Sequence, residues 1–84
     1  MEIKILGAGC PNCKRLEKVT HQTLAEMGVE ATVTKVTDFN EIITYDILST
    51  PGLVIDDQVV SSGRVPSPAQ VSSMITTALS ETRA

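Results

Sequence analysis

The sequence has no tryptophan, and Phe39 and Tyr45 are its only aromatic residues, so platforms on which nucleic-acid bases could stack are nearly absent. An excess of positive charge is missing too. Ten acidic residues against seven basic ones give a net charge of −3, which argues against general nucleic-acid binding, since that needs a basic face to displace counterions from the phosphate backbone. Nucleic acid is therefore a poor partner. Long apolar runs are also absent: stretches such as Gly52 to Ile55 and Ile42 to Ile43 fall far short of the about 20 residues that span a bilayer. No membrane insertion is expected. The N-terminus, Met1-Glu2-Ile3-Lys4-Ile5-Leu6, lacks the apolar stretch and small-residue cleavage site of a secretory leader, so a cytoplasmic location is expected.

Cysteine is equally scarce. Cys10 and Cys13 are the only two, too few for a disulfide framework, and a bridge closing so short a loop would constrain the unfolded chain very little. In a reducing compartment such a close pair serves redox catalysis or metal binding more often than it staples a fold. Histidine occurs once, as His21, about two turns beyond the pair, so a four-coordinate zinc site would have to recruit carboxylates or a second chain. Two thiolates alone suit copper(I) better.

What is present is a small globular composition, 42% apolar and 20% charged over 84 residues, which fits a single domain spanning 1–84. Ile3, Ile5 and Leu6 read as a buried strand ended by Gly7-Ala8-Gly9. Pro11 suits a first helical turn, and Leu16, Val19, Thr20, Thr23, Leu24 and Met27 recur at spacings of three and four. With Gly28 as a stop, this predicts a helix over about 11 to 27. Ala31 to Val36 is rich in β-branched residues and suits a strand parallel to the first, because a helix connects them.

Asp38 with Glu41 three residues on marks an acidic cap, and Ile42, Ile43 and Ile47 predict a second helix to about Leu48. After Thr50-Pro51-Gly52, the runs Leu53-Val54-Ile55 and Val59-Val60 flank Asp56-Asp57-Gln58 as a hairpin. Ser67-Pro68-Ala69-Gln70 then caps a last amphipathic helix carrying Val71, Met74, Ile75, Ala78 and Leu79, with fraying from Ser80 to Ala84. The expected fold is α/β, in the order β-α-β-α-β-β-α, with one four-stranded mixed sheet flanked by three helices.

Side chains three apart at the start of a helix are neighbours, so Cys10 and Cys13 can open and close a disulfide without refolding. Cys10 lies nearer solvent and the unpaired amides of the helix N-terminus, which lower its thiol pKa below the free value of about 8.5 and make it the better nucleophile. Cys13 falls one turn inward. Lys14, Arg15 and Lys18 make the neighbourhood positive, although a charged helix face is usually only solvated. Asp56-Asp57 suits a turn better than a cation site, and His21 reads as a surface residue. A strand followed by a two-cysteine helix start also fits a copper-chaperone-like metal-binding module, whose order continues helix, strand, strand, helix, strand.

Strand, Cys10-Pro11-Asn12-Cys13 at a helix start, Thr50-Pro51 before a hairpin and a terminal helix together resemble the thioredoxin/glutaredoxin superfamily. Within it the chain is most similar to the small glutaredoxin-sized thioredoxins of archaea and bacteria, sometimes called redox-active disulfide proteins. The likeness extends from Gly7-Ala8-Gly9-Cys10 to Gly63-Arg64-Val65. It implies a minimal thioredoxin fold and a dithiol reductase in which Cys10 attacks a partner disulfide and Cys13 resolves the mixed disulfide. It also implies a cis bond at Thr50-Pro51, whereas an X-Pro bond taken alone is cis in only about 5–6% of cases. Pro11, Asn12, Thr50 and Pro51 are then the residues that meet substrate, Thr50 by strand-like pairing.

No bound cofactor beyond the reversible Cys10–Cys13 disulfide, and no metal, is implied. Expected partners are disulfide-containing proteins and a thioredoxin reductase-type donor, with the chain acting as a monomer. Two departures stand out. Lys4 occupies the spacing at which larger thioredoxins carry a buried aspartate, so the usual proton acceptor for Cys13 is missing there. The segment Ser62-Gly63-Arg64-Val65-Pro66-Ser67 lacks the acidic residue with which glutaredoxins hold glutathione, which argues against glutathione as partner; Arg64 reads as a surface residue.

Overall fold

The computed structural model describes residues 1–7, 9–47 and 49–82. Its elements are β1 (Glu2–Leu6), α1 (Pro11–Met27), β2 (Thr32–Val36), α2 (Phe39–Ile43), β3 (Gly52–Ile55), β4 (Gln58–Ser62) and α3 (Pro68–Thr82). Ala8, Arg83 and Ala84 lie outside the described residues, and α3 continues as helix through Thr82 where the sequence predicts fraying from Ser80. The order is the expected β-α-β-α-β-β-α, and α2 separates β2 from β3 where a copper-chaperone-like order would make those strands consecutive.

Pro11 opens α1 where a missing amide proton leaves no bond unmade. Gly28 closes it in a left-handed conformation (φ 67°), its N–H donating to the carbonyls of Leu24 and Ala25, and Val29 adds a further bond to Leu24. The buried stripe of α1 includes two threonines. Their hydroxyls donate to carbonyls four residues back, Thr20 to Leu16 and Thr23 to Val19, each at 2.8 Å, so neither is left unsatisfied.

α1 carries the chain from β1 to a parallel β2, and β3 and β4 complete a sheet of order β2-β1-β3-β4, with β1–β3 and β3–β4 antiparallel. Asp56 and Asp57 form the two-residue hairpin turn, both at positive φ (48° and 68°). Residues Ile3, Ile5, Leu53 and Ile55 face α1 and α3, packing with Leu16, Leu24, Val71 and Ile75. On the opposite face Leu6, Val36 and Val54 pack beneath Ile42 of α2. Each large apolar side chain buried this way contributes roughly 1.5–3 kcal/mol, so the double-sided core anchors both central strands.

The second helix is shorter than its sequence pattern predicts, ending at Ile43 rather than near Leu48. Leu48 itself lies outside the described residues. Thr44, Tyr45 and Asp46 continue only with tightened bonds three residues back, to Glu41, Ile42 and Ile43, and Asp46 turns to φ 59°. Three β-branched residues in a row, Ile42-Ile43-Thr44, lose side-chain freedom in a helix, and the Thr44 hydroxyl donates to the Glu41 carbonyl at 2.6 Å instead.

α3 begins with the reciprocal cap foreseen at Ser67 and Gln70. Gln70 N–H donates to Ser67 Oγ at 3.2 Å, and Ser67 N–H donates to Gln70 Oε1 at 2.9 Å. Replacing Ser67 with alanine is expected to lower stability by about 1 kcal/mol. For a domain of this size that corresponds to a thermal midpoint roughly 4–8 °C lower, measurable by circular dichroism.

Candidate functional site

Cys10 and Cys13 form a disulfide at the start of α1, with their Cα atoms 5.0 Å apart. Cys10 is the N-cap of that helix: its backbone is extended (φ −71°, ψ 160°), and its Sγ accepts the Cys13 N–H at 3.1 Å. The sulfur thus takes the place an oxygen usually fills at a helix start. There the unpaired amides and the helix dipole favour negative charge on it once the disulfide is reduced. Cys10 is half-buried, Pro11 and Asn12 are exposed, and Cys13 is only 5% exposed. The two sulfurs therefore occupy unlike surroundings, one at the rim and one inside.

Gly7 is what allows Cys13 its position. A Cβ built on Gly7 would overlap Cys13 Sγ and would lie 3.7 Å from Thr50 Cβ. The same point therefore touches both Cys13 and Thr50, which brings the Thr50 loop beside the disulfide. The Thr50–Pro51 peptide bond is cis, as the resemblance implied. Pro51 is buried and Thr50 exposed, and Gly63 N–H donates to the Pro51 carbonyl at 2.8 Å, tying this loop to the end of β4. Beyond Thr50 a trough of about 290 Å³ is walled by Ile42, Ile47 and the exposed side chains of Phe39 and Ile43.

Lys4 does not face the cysteines. Its Nζ donates to Tyr45 Oη at 3.0 Å and pairs with Glu2 at 3.4 Å and Asp57 at 3.8 Å, on the face covered by α2. The Tyr45 hydrogen bond, followed by Glu2, pushes the Lys4 pKa up. A raised lysine pKa contributes stability that is fully present below its ordinary value near 10.4 and lost only as pH rises beyond it, so this group adds no acid sensitivity. Replacing Tyr45 with phenylalanine is expected to bring the Lys4 pKa down, readable from its Nζ-linked NMR shifts, and to leave thiol reactivity unchanged. Because side chains alternate along a strand, the β1 residue on Cys13's side is Ile5.

A second cleft of about 320 Å³ opens against Cys13, walled by Ile5, Lys14, Glu17, Lys35 and Thr37. Glu17 and Lys35 form an ion pair at 3.4 Å across α1 and β2. Sequence reasoning misses both residues; the only hint is that Glu17 follows Cys13 by four, one helical turn on the same face. Lys14, Arg15, Lys18, His21 and Arg64 are all exposed, as surface residues would be. Among the described residues no group of three or more His, Cys, Asp or Glu is placed to hold a metal ion, and no helix is long and apolar enough to cross a membrane.

A disulfide that caps a helix, set beside a cis-proline loop on a four-stranded mixed sheet, defines a dithiol protein of thioredoxin fold. The chain belongs to the thioredoxin domain family, which it matches over residues 1–76. It is 38% identical over 69 residues to a thioredoxin of Methanocaldococcus jannaschii, covering 82% of this chain and 79% of that protein. A thioredoxin of Methanothermobacter thermautotrophicus is 32% identical over 75 residues, covering 89% and 97% respectively. Family and disulfide together place the chain among the thiol–disulfide oxidoreductases in general.

Proposed function

We propose that the chain is a small protein disulfide reductase that works as one domain, with Cys10 as attacking thiol and Cys13 as resolving thiol. The observation that carries this reading is the asymmetry of the pair: Cys10 caps the helix at the rim, while Cys13 is 5% exposed. Cys10 thiolate attacks one sulfur of a partner disulfide and expels the other as a thiolate. Cys13 then attacks Cys10 Sγ, the intramolecular disulfide forms, and the second partner sulfur leaves reduced. The partner gains two electrons and the dithiol loses two.

Pro11, Asn12 and Thr50 form the exposed docking rim, and the buried Pro51 that the resemblance assigns to it supports Thr50 from behind. Thr50 offers exposed backbone for strand-like pairing, which gives affinity with little sequence preference, and the Phe39–Ile43 trough beside it accepts apolar side chains. The disulfide is then regenerated to dithiol by a thioredoxin reductase-type donor in the cytoplasm, with the protein acting as a monomer and without a bound cofactor. The test is reduction of insulin-type disulfides with each electron source in turn. Turnover is expected with a thioredoxin reductase; turnover with glutathione alone would overturn the choice of donor, and turnover with neither would overturn the reductase reading.

A further inference from the structure

We infer that Glu17, held by Lys35, is the proton acceptor for Cys13 in the resolving step; this rests on the reading of Cys13 as resolving thiol. A thiol must lose its proton before it attacks, and at neutral pH an ordinary cysteine with a pKa near 8.5 is mostly protonated. Cys13 is only 5% exposed, so its proton leaves by way of the cleft that reaches it rather than directly to bulk solvent. On its side of β1 the neighbours are Ile5 and Gly7, neither of which can accept it. The cleft that reaches Cys13 contains one carboxylate, Glu17, one helical turn beyond it.

The charges around the cleft are consistent with this task. Lys14 and Glu17 come from α1 and Lys35 from β2, and Thr37 completes the wall where the chain leaves β2. The nearest further acid along the chain, Asp38, is engaged in capping α2 through Asn40 N–H at 2.8 Å. Lys35 holds the Glu17 carboxylate at 3.4 Å, which fixes its orientation at the wall of the cleft. At about 320 Å³ the cleft has room for water, so the proton can pass from Cys13 to Glu17 through a bridging molecule.

Cys13 Sγ–H gives its proton to the Glu17 carboxylate, and the thiolate attacks Cys10 Sγ in the mixed disulfide. The Cys10–Cys13 bond forms, the Cys10–substrate bond breaks, and the substrate leaves as thiolate. Protonated Glu17 then returns the proton to that leaving sulfur through cleft water. An ordinary ion pair between a helix and an edge strand is the competing explanation, and it assigns no role in the rate.

The test is Glu17→Gln, which keeps the size and the contact to Lys35 but cannot take a proton. The pair is half-exposed, side chains 31% and 65% accessible, so the variant is expected to fold. The first step is followed as alkylation of Cys10, and the second as stopped-flow release of the reduced substrate from the mixed disulfide. Release at pH 7 is expected to slow by about a hundredfold, in the range general-base catalysis supplies. The deficit is expected to shrink as pH approaches 9 and Cys13 ionises unaided, while Cys10 alkylation stays within about twofold of the wild type. Glu17→Asp is expected to restore part of the rate and the wild-type pH profile. Unchanged release in Glu17→Gln, or slowing by the same factor at every pH, would overturn the assignment. Failure of the reductase reading is recognisable separately, since the wild-type protein would then form no mixed disulfide to resolve.

Discussion

Replacing Cys13 with serine is expected to convert the protein into a trap that holds one substrate chain per molecule through Cys10. The serine hydroxyl is of similar size but is not ionised near neutral pH, so attack on the partner disulfide proceeds and resolution stops. Intact-mass analysis after mixing with a disulfide substrate reads the adduct directly, and dithiothreitol is expected to release it. Replacing Cys10 instead removes the sulfur at the helix N-cap, and disulfide reduction is expected to fall to the uncatalysed background. The pair of outcomes is informative because the variants are chemically equivalent and differ only in position. Trapping by Cys10→Ser rather than Cys13→Ser would reverse the two roles.

A second large effect is expected from Gly7→Ala, a change of one methyl group. The added carbon would overlap Cys13 Sγ, lie 3.4 Å from Cys13 Cβ and press toward Thr50. Gly7 also stands at φ 153°, where a side chain is unfavourable. Overpacking and backbone strain together are expected to destabilise by about 2–4 kcal/mol, a large share of the roughly 5–15 kcal/mol typical of a whole domain. Urea denaturation measures this loss. In the fraction that folds, Cys13 is displaced from Cys10, and a shift of about 1 Å between reacting groups slows closure by about a hundredfold. Alkylation of Cys10 at the rim is expected to change little. A variant with wild-type stability and wild-type closure would show that Gly7 does not set the position of Cys13.

Much of the architecture is legible along the chain because the signals are local. Pro11, the three-and-four spacing of Leu16 to Leu24, and Gly28 bound α1 without reference to anything distant, and the Ser67–Gln70 cap starts α3 in the same way. The length of α2 is not legible in this manner, since Ile43 and Ile47 keep a helical spacing that the β-branched run and the left-handed Asp46 interrupt. Across the sheet, spacing alone misleads in a different way. Counting back from Cys10 points to Lys4, but the pleat turns Lys4 toward Tyr45 and leaves Ile5 on the side of Cys13.

The cysteine pair and Thr50-Pro51 are visible as motifs, yet their meeting depends on β3 pairing with β1, a contact across some fifty residues that neither motif encodes. Gly7 reads in sequence as a strand terminator. Its further role, leaving room for a sulfur, exists only once α1 has folded back on the sheet. Glu17 and Lys35 likewise look like two solvated charges until the parallel pairing of β1 with β2 carries Lys35 alongside α1.

The division of labour between the two sulfurs is tested most directly by alkylating the fully reduced protein with less than one equivalent of iodoacetamide at pH 7 and mapping the modified peptide. Its helix-cap position and greater exposure should give Cys10 at least about ten times the modification of Cys13. Equal labelling of the two, or preferential labelling of Cys13, would contradict the assignment of Cys10 as the attacking thiol.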